Sequence, residues 1–470
     1  MYRNHQREHA VLDGGTREFV GHGRNEHRGH GQNGKQRDPR GGEFAHGTFD
    51  AGLSCPVALC FGRDSVGGFN IDAMTKKSPD AVEKRGLTVK VSPRGAARLS
   101  AGHIWVYRSD IAVGDGVDPG AVVRVTDARG KFLGSALYSS SSQIAIRIIS
   151  RDEVNDLPGL VQERIRAAIG YRQNVVSKTD AYRVVFSEGD FLPGLIIDRY
   201  NDVVSVQVLT QAMDAEPVRA AVIETLTREF GPAGIVERVD SRIRELEHLP
   251  PRKSGLLSGE KHATIIEMNG IRFHYEGLEG QKTGAYLDQR ENYAAAAEYA
   301  HGEALDAFCY QGGFALHLAA KCLSVTGVDS SRPALERAEK NAALNGRELE
   351  WIEGNAFDLL KDYSAAGRSY DTIVLDPPAF AKTKKDIEKA LRGYKELNLR
   401  ALKMLRPGGV LVTCSCSYHV SATEFQEVIA EAARDAHKSL RLVDNRAQAK
   451  DHPMLVNVPE TAYLKCLIVA

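Results

Sequence analysis

The chain has no apolar run near the roughly 18 to 20 residues that cross a bilayer. Its first residues do not set a basic stretch before a short apolar one, so no secretory signal is read there. It has no excess of charge of either sign. Lys plus Arg and Asp plus Glu are equal at 61 each, so global charge argues neither for nor against a nucleic-acid partner. It has no disulfide framework either, because seven cysteines at irregular spacing form an odd set. A reduced, soluble, cytoplasmic protein is the expectation. Cys414-x-Cys416 has no second cysteine pair at ligand spacing, so no metal site is expected. At 470 residues the chain is too long for one ordinary core, and several domains are expected.

Composition changes along the chain. Residues 1–83 have few large apolar side chains, and Gly, His, Arg, Asn and Gln dominate Gly14 to Gly47, which predicts a disordered tail with Met74 as an alternative start of translation. Residues 84–152 alternate short β-type runs with glycine turns: Leu87 to Val91, Val122 to Thr126, Phe132 to Tyr138 and Ile144 to Ile149. That pattern predicts a small β-barrel. Its entry segment, Ser92 to Arg108, sets Arg94, Arg98 and Arg108 beside Trp105 and Tyr107. Six Lys or Arg and no acid fall between Lys84 and Arg108. Cations beside aromatics can contact phosphates and stack on bases, although the aromatics also suit a barrel core. Residues 153–275 read as α+β, with a helix from Leu160 to Val176, a hairpin-like pair Arg183 to Phe186 and Leu195 to Tyr200, and a helix from Ala215 to Phe230.

From 276 to 470 strands and helices alternate, as in a doubly wound α/β sheet. Glu303 to Phe308 reads as a strand followed by Cys309-Tyr310-Gln311-Gly312-Gly313, whose paired glycines let the backbone approach a ligand closely. Asp329 ends the next strand, 17 residues after Gly312, at the height where an acid can hold ribose hydroxyls. The turn lacks the full G-x-G-x-x-G pattern, so a nucleoside without phosphates suits it better than a dinucleotide. Asp376-Pro377-Pro378-Ala379-Phe380 and Thr413-Cys414-Ser415-Cys416-Ser417 each close a short apolar strand. A carboxylate and a thiol then face one crevice. Leu464 to Val469 follows a loop, so an antiparallel last strand is expected.

These segments, with Thr283 to Arg290, Asp306 to Phe314 and Arg392 to Asn398, resemble the bacterial ribosomal RNA large subunit methyltransferase I family. Its members combine an N-terminal PUA domain, a central α+β domain and a Rossmann-like domain. They use S-adenosylmethionine to methylate C5 of a cytidine in 23S rRNA. The resemblance implies a cofactor turn from Asp306, Phe308, Tyr310, Gly312 and Gly313, a ribose contact at Asp329 with Ser330, and an adenine pocket at Asn355 and Ala356. Asp288, Arg290 and Asp376 complete the implied cofactor set. Many members carry Asp where this chain has Asn355, whose amide oxygen can still accept from the adenine amino group. Residues 1–73 have no counterpart in that pattern.

Cytosine C5 is a weak nucleophile. A thiolate that adds to C6 makes the ring enamine-like, so C5 can attack an electrophilic methyl. Two cysteines compete for that role: Cys416, favoured by its spacing from Gly408-Gly409 and by the following Ser417-Tyr418-His419, and Cys414. Asp376 is expected to bond N3 or the exocyclic amine. Phe380 and Tyr418 are candidate stacking surfaces for a flipped base, with Lys382 as a candidate phosphate contact. Proline stands where some RNA cytosine methyltransferases carry a second cysteine, so another base must remove the C5 proton. The expected partner is 23S rRNA or a large-subunit precursor, with no membrane, and the sequence leaves dimerisation open. The competing readings are methylation of a base nitrogen, because Asp-Pro-Pro also holds purine amino groups, and a noncatalytic RNA-binding assembly factor.

Overall fold

The computed structural model describes residues 87–113, 116–278, 285–381 and 383–470. The expectations for residues 1–83, Met74 and Lys382 lie outside them.

Valine at alternate positions starts the first sheet: in β1 (Thr88–Val91) Val89 and Val91 are buried while Thr88 and Lys90 face out. Ser92 then caps a short helix, α1 (Pro93–Ser100), its hydroxyl accepting from the Gly95 N–H with Pro93 in the first turn. Sequence periodicity did not separate this helix from its flanking strands. β2 (Trp105–Tyr107), β3 (Ile111–Val113), β4 (Val122–Thr126), β5 (Phe132–Tyr138) and β6 (Ile144–Ser150) complete six strands in the order β2-β6-β5-β4-β1-β3.

The middle of the chain runs α2 (Leu157–Val175), β7 (Ala181–Phe186), β8 (Leu195–Tyr200), β9 (Val203–Val208), α3 (Glu216–Phe230), β10 (Gly234–Glu237), α4 (Ser241–Leu246) and β11 (Gly255–Gly259). β7 and β8 pair antiparallel as the expected hairpin, and β9 and β10 pair parallel across α3. A two-stranded ribbon, β12 (Ala263–Met268) with β13 (Ile271–Glu276), follows. Tyr275 of this ribbon stacks on Tyr200 with ring centroids 3.8 Å apart. One apolar core runs from these tyrosines through Phe273 to Leu287, Tyr293 and Phe314. The division expected at residue 275 therefore crosses a shared core.

The last sheet is built from α5 (Arg290–Tyr299), β14 (Glu303–Ala307), α6 (Gly313–Leu318), β15 (Ser324–Asp329), α7 (Arg332–Leu344), β16 (Glu350–Glu353) and α8 (Ala356–Ala365). β17 (Tyr370–Leu375), α9 (Ile387–Met404), β18 (Leu405–Ser415), α10 (Ala422–Asp435), β19 (Leu442–Arg446) and β20 (Lys465–Val469) follow. The strand order is β16-β15-β14-β17-β18-β20-β19, with β14 to β18 parallel and β20 antiparallel to both neighbours. Strand order reverses direction between β14 and β17, and such a switch point opens a crevice at the carboxyl edge. Ser331 caps α7, and Leu335, Ala338 and Ala342 face the core. Arg406 to Gly409 form a bulge within β18: the register steps from Tyr370↔Leu405 to Thr372↔Val410, with Gly408 at φ +78°. Among the described residues no helix is long and apolar enough to cross a membrane.

Candidate active site

The turn after β14 is held in a conformation that side chains rarely adopt. Phe308 lies at φ +71°, Tyr310 at +50° and Gly312 at +82°. Only the glycine does so without strain; the other two cost about 1–3 kcal/mol each. Backbone donors hold them there. Phe308 N–H and Cys309 N–H both donate to Val328 O at 2.9 Å, and Tyr310 N–H donates to Asp329 Oδ2 at 2.9 Å. Ser331 N–H donates to the other oxygen, Asp329 Oδ1, at 2.8 Å. A Cβ on Gly312 would stand 2.9 Å from the Trp351 ring, so glycine is required by packing as well as by φ. Beneath the turn Asp306 Oδ2 accepts from Ala315 N–H at 2.8 Å. Its Oδ1 is buried with no hydrogen-bond partner among the described residues, and burial pushes this carboxyl well above the usual range.

A cavity of about 610 Å³ opens above this turn. Of the expected cofactor residues, Asp288, Phe308, Tyr310, Gly313, Asp329 and Ser330 line it, and so do Asn355, Ala356 and Asp376. Gly312 shapes the turn from behind. Arg290 is a correction: it is 1% exposed, and its Nη1 donates to Asp451 Oδ2 at 2.7 Å and to Ala181 O at 3.3 Å. The buried Asp451 carboxylate draws the guanidinium away from the cavity. Asn355 also differs from expectation, because its oxygen caps α8 by accepting from Phe357 N–H at 2.9 Å. Any adenine contact through that oxygen shares it with the cap.

Strand pleating separates the two cysteines. Along β18, Val410, Val412 and Cys414 project into one core and Leu411 into the other. Cys414 lies opposite Cys466 on β20 and is fully buried, and burial pushes its thiol well up. Cys416 continues the same face beyond the sheet edge. It is half-buried, it lines the cavity, and its Sγ lies 3.9 Å from Pro377 O. Asp376 leaves β17 on that face too, following Val374, and its Oδ1 accepts from Gln289 Nε2 at 3.0 Å.

Side chains without an individual role in the sequence pattern tie the two loops together. Ser417 Oγ accepts from Phe380 N–H and Ala381 N–H at 3.0 and 3.1 Å and lies 2.9 Å from the Tyr394 hydroxyl. Lys465 Nζ donates to Ser417 O at 2.7 Å and Tyr463 O at 3.0 Å. Burial pulls this amine down to about 8, against the opposing pull of Cys416 and Glu424. Tyr463 in turn donates to Asp288 Oδ2 at 2.5 Å.

The expected RNA contacts divide. Phe380 lines the cavity between Phe357 and Tyr394, with ring centroids at 5.7 and 4.7 Å, and Tyr418 is 46% exposed beside His419. Arg94 and Arg98 converge on the buried Asp110 at 2.6 and 3.4 Å, and Arg94 keeps most of its side chain exposed. Arg98 also covers the Tyr107 ring at 4.7 Å. Trp105 packs on the first sheet's core. Arg108 is corrected from phosphate contact to loop staple, because its Nε donates to Ser142 O and its Nη2 to Ser139 O and Ser142 O at 2.7–3.2 Å.

A glycine turn at the switch point, an acid on the second strand and an antiparallel last strand between the fifth and sixth define a class I methyltransferase. Residues 194–470 match the model of the S-adenosylmethionine-dependent methyltransferase family, and residues 89–151 match a PUA-like domain. The chain is 39% identical over 394 residues to Ribosomal RNA large subunit methyltransferase I of Shewanella denitrificans, covering 81% of this chain and 98% of that protein. With the protein of the same name from Photobacterium profundum the identity is 38% over 376 residues, covering 77% and 94%. This chain belongs to the ribosomal RNA large subunit methyltransferase I family. A solved structure described as a methyltransferase complexed with SAH shares the fold, with a TM-score of 0.71, 20% identity, and coverage of 82% of this chain and 99% of that one. A SAM-dependent methyltransferase structure from Streptococcus mutans aligns with a TM-score of 0.69, also at 20% identity.

Proposed function

We propose that this S-adenosylmethionine-dependent enzyme methylates C5 of a cytidine in 23S rRNA through a transient bond between Cys416 and C6. The observation that carries this reading is the placement of Cys416: one cysteine of the pair opens onto the cavity beside Asp376 while the other is sealed in the sheet. The RNA target rests on the names of the curated relatives and on the PUA-like domain. The half-exposed aromatics at the cavity fit a base turned out of its stack.

The residues fit the cofactor. The cavity has the size of a small-molecule site, Asp329 is fixed by two backbone donors and retains lone pairs for a ribose, and Phe308 and Phe357 supply apolar walls. Asp329 with Ser330 is assigned the ribose, and Asn355, Ala356 and Phe357 the adenine side. When bound, the cofactor supplies an electrophilic methyl group. The rest falls to the chain. The Cys416 thiolate adds its electron pair to C6, and the displaced π electrons move toward N3, where Asp376 donates a hydrogen bond. After methyl transfer, loss of the C5 proton returns an electron pair to the ring. That pair expels the thiolate, closing the cycle.

The test is a 23S rRNA substrate containing 5-fluorocytidine. Fluorine at C5 cannot leave as a proton does, so the adduct persists through denaturation. Wild type and Cys414→Ala are expected to form a denaturation-resistant protein–RNA band, and Cys416→Ala to form none. Methyl transfer to normal RNA without a trapped band would replace C5 chemistry with transfer to a base nitrogen.

A further inference from the structure

Behind Asp376 a line of polar side chains crosses the interior to the far edge of the sheet. Arg446, in the edge strand β19, donates from Nη1 to Asp444 Oδ2 at 3.0 Å and from Nε to Asn292 Oδ1 at 2.9 Å. Asn292 Nδ2 donates to Gln289 Oε1 at 2.7 Å and to Ala447 O at 3.1 Å. Gln289 Nε2 then donates to Asp376 Oδ1 at 3.0 Å. Asn292 and Gln289 are 1% and 3% exposed, so water offers them little alternative.

The direction of this line is fixed by chemistry. A guanidinium has only donors, so the oxygen of Asn292 must face Arg446. The Asn292 amide nitrogen then faces two acceptors, the Ala447 carbonyl and the Gln289 oxygen. Gln289 has one arrangement left, with its NH₂ toward Asp376. The lone pair of that NH₂ is delocalised into the amide carbonyl, so the group donates and does not accept a proton.

We propose that Gln289, Asn292 and Arg446 are positioning residues that hold Asp376 Oδ1 as a hydrogen-bond acceptor and confine any proton on this carboxyl to Oδ2. This inference rests on the reading of Asp376 as the acid that meets the base. It makes the acid directional, because Oδ1 is anchored as an acceptor and a proton exchanged with the substrate is carried on Oδ2. It also explains why an arginine on an edge strand, outside the cavity lining, bears on the reaction. A donor aimed at the charged form keeps a carboxyl ionised, so losing that donor raises its pKa.

Asn292→Asp is the informative variant because it keeps the shape and reverses the line. An aspartate presents an acceptor to Gln289, which must turn its NH₂ toward residue 292 and its oxygen toward Asp376. Asp376 then has to carry a proton to bond it. The pH profile of kcat/KM for methyl transfer is measured for wild type, with the Asp376 limb identified as the one absent from Asp376→Asn. Gln289→Leu is expected to move that limb up by about one pH unit, and Asn292→Asp by about two. In Asn292→Asp/Gln289→Leu there is no amide to turn, so the limb falls back to the Gln289→Leu position. Arg446→Met, remote from the cavity, is expected to move the limb up while retaining S-adenosylmethionine affinity by calorimetry. Arg446→Lys, which restores a group with donors only, returns it.

A limb that stays at the wild-type position in Asn292→Asp overturns the proposal. So does an Asn292→Asp shift that persists undiminished in the double variant, because that is a through-space charge effect. Should Asn292→Asp fail to fold, Gln289→Leu and Arg446→Met decide the question in its place: a limb raised in both supports the proposal, and a limb unmoved in both refutes it. The wild-type 5-fluorocytidine trap judges C5 chemistry separately, since the pH profiles require only methyl transfer.

Discussion

Asp329 holds both sides of the glycine turn after β14, and replacing it with asparagine tests how the proposed cofactor site is built. Both carboxylate oxygens already accept a backbone N–H, from Tyr310 at 2.9 Å and from Ser331 at 2.8 Å. An amide has one oxygen, so in either orientation its NH₂ faces a backbone donor. Asparagine therefore loses one charge-assisted bond, sets two donors against each other, and frees either Ser331 or the left-handed Tyr310 from its hydrogen bond. A hydrogen bond to a charged group contributes about 1.5–3 kcal/mol. In the proposed site the ribose loses its anionic acceptor as well. Taking about 3 kcal/mol for the sum gives roughly 150-fold weaker S-adenosylmethionine binding in Asp329→Asn. Asp329→Ala removes both acceptors without introducing a clash and is expected to match that loss rather than exceed it greatly. Isothermal titration with S-adenosylmethionine, beside a thermal melt of each variant, provides the measurement. Binding by a folded Asp329→Asn within about fivefold of wild type would refute the assignment of the ribose to this carboxylate.

Further outcomes follow from charged side chains, three of them structural. Burial opposes ionisation of Asp451, but His452 and Arg290 outweigh it and hold the carboxyl well below the usual range. Asp451→Ala removes the buried partner of Arg290, which keeps only the longer pair with Glu291 at 3.7 Å, and is expected to cost about 3 kcal/mol in urea unfolding followed by Trp351 fluorescence. Because the folded pKa is depressed, the advantage of wild type over Asp451→Asn is full above the unfolded value, near 3.9, and disappears as pH falls through the folded one. Lys465 reverses that logic, since its amine is lowered from 10.5 to about 8 and the unfolded chain binds more protons between those values. The stability of wild type relative to Lys465→Met should therefore rise between pH 8 and 10.5, and a flat difference would contradict the burial of the amine. Arg108→Met removes three donations to loop carbonyls and is expected to lower the stability of the first sheet, read at Trp105, by about 1–3 kcal/mol without changing the salt dependence of RNA binding. Arg94→Ala, which removes an exposed cation, should instead reduce the log–log salt slope by about one.

What could be read from the sequence follows the range over which each signal acts. The central strands β14, β17 and β18 announced themselves because they are apolar on both faces and lie beside glycine, aspartate or proline turns. Ser331 as the cap of α7 and Pro333 in its first turn are local signals of the same kind. The antiparallel β20 followed from a loop where a crossover helix was lacking. Short elements failed this test: α1, β2 and β3 span eight, three and three residues, too few for a period to show. The site was half legible for a related reason. Gly312, Asp329, Asp376 and Cys416 stand in local motifs whose spacing carries the chemistry. Arg290 and Arg108 carry the same charge as a cofactor or phosphate contact, and only their distant partners, Asp451 and the Ser139 and Ser142 carbonyls, reveal the structural use. Gln289 and Asn292 look like ordinary polar residues at the start of a helix until Arg446, 154 residues beyond Asn292, is placed beside them.

The same argument from distant partners applies to the connection between β19 and β20, which joins the first sheet to the loop of Cys416. Its Asp451 accepts from the Arg183 N–H of the middle sheet and from Arg290, while Arg172 of α2 donates to the Asp451 carbonyl at 2.6 Å. Further along, Val458 enters the core of the first sheet and Glu460 pairs with His103 at 3.1 Å. Tyr463 and Lys465 then return to Asp288 and to the loop of Cys416. One stretch of about fifteen residues therefore touches the first, middle and last sheets before it reaches the loop of Cys416. A PUA-like domain on a free linker would add affinity for RNA through local concentration alone. Here the first sheet is instead joined to the Cys416 loop by contacts at Val458, Glu460 and Lys465, so the span from Arg94 to the cavity is set by packing rather than by a tether.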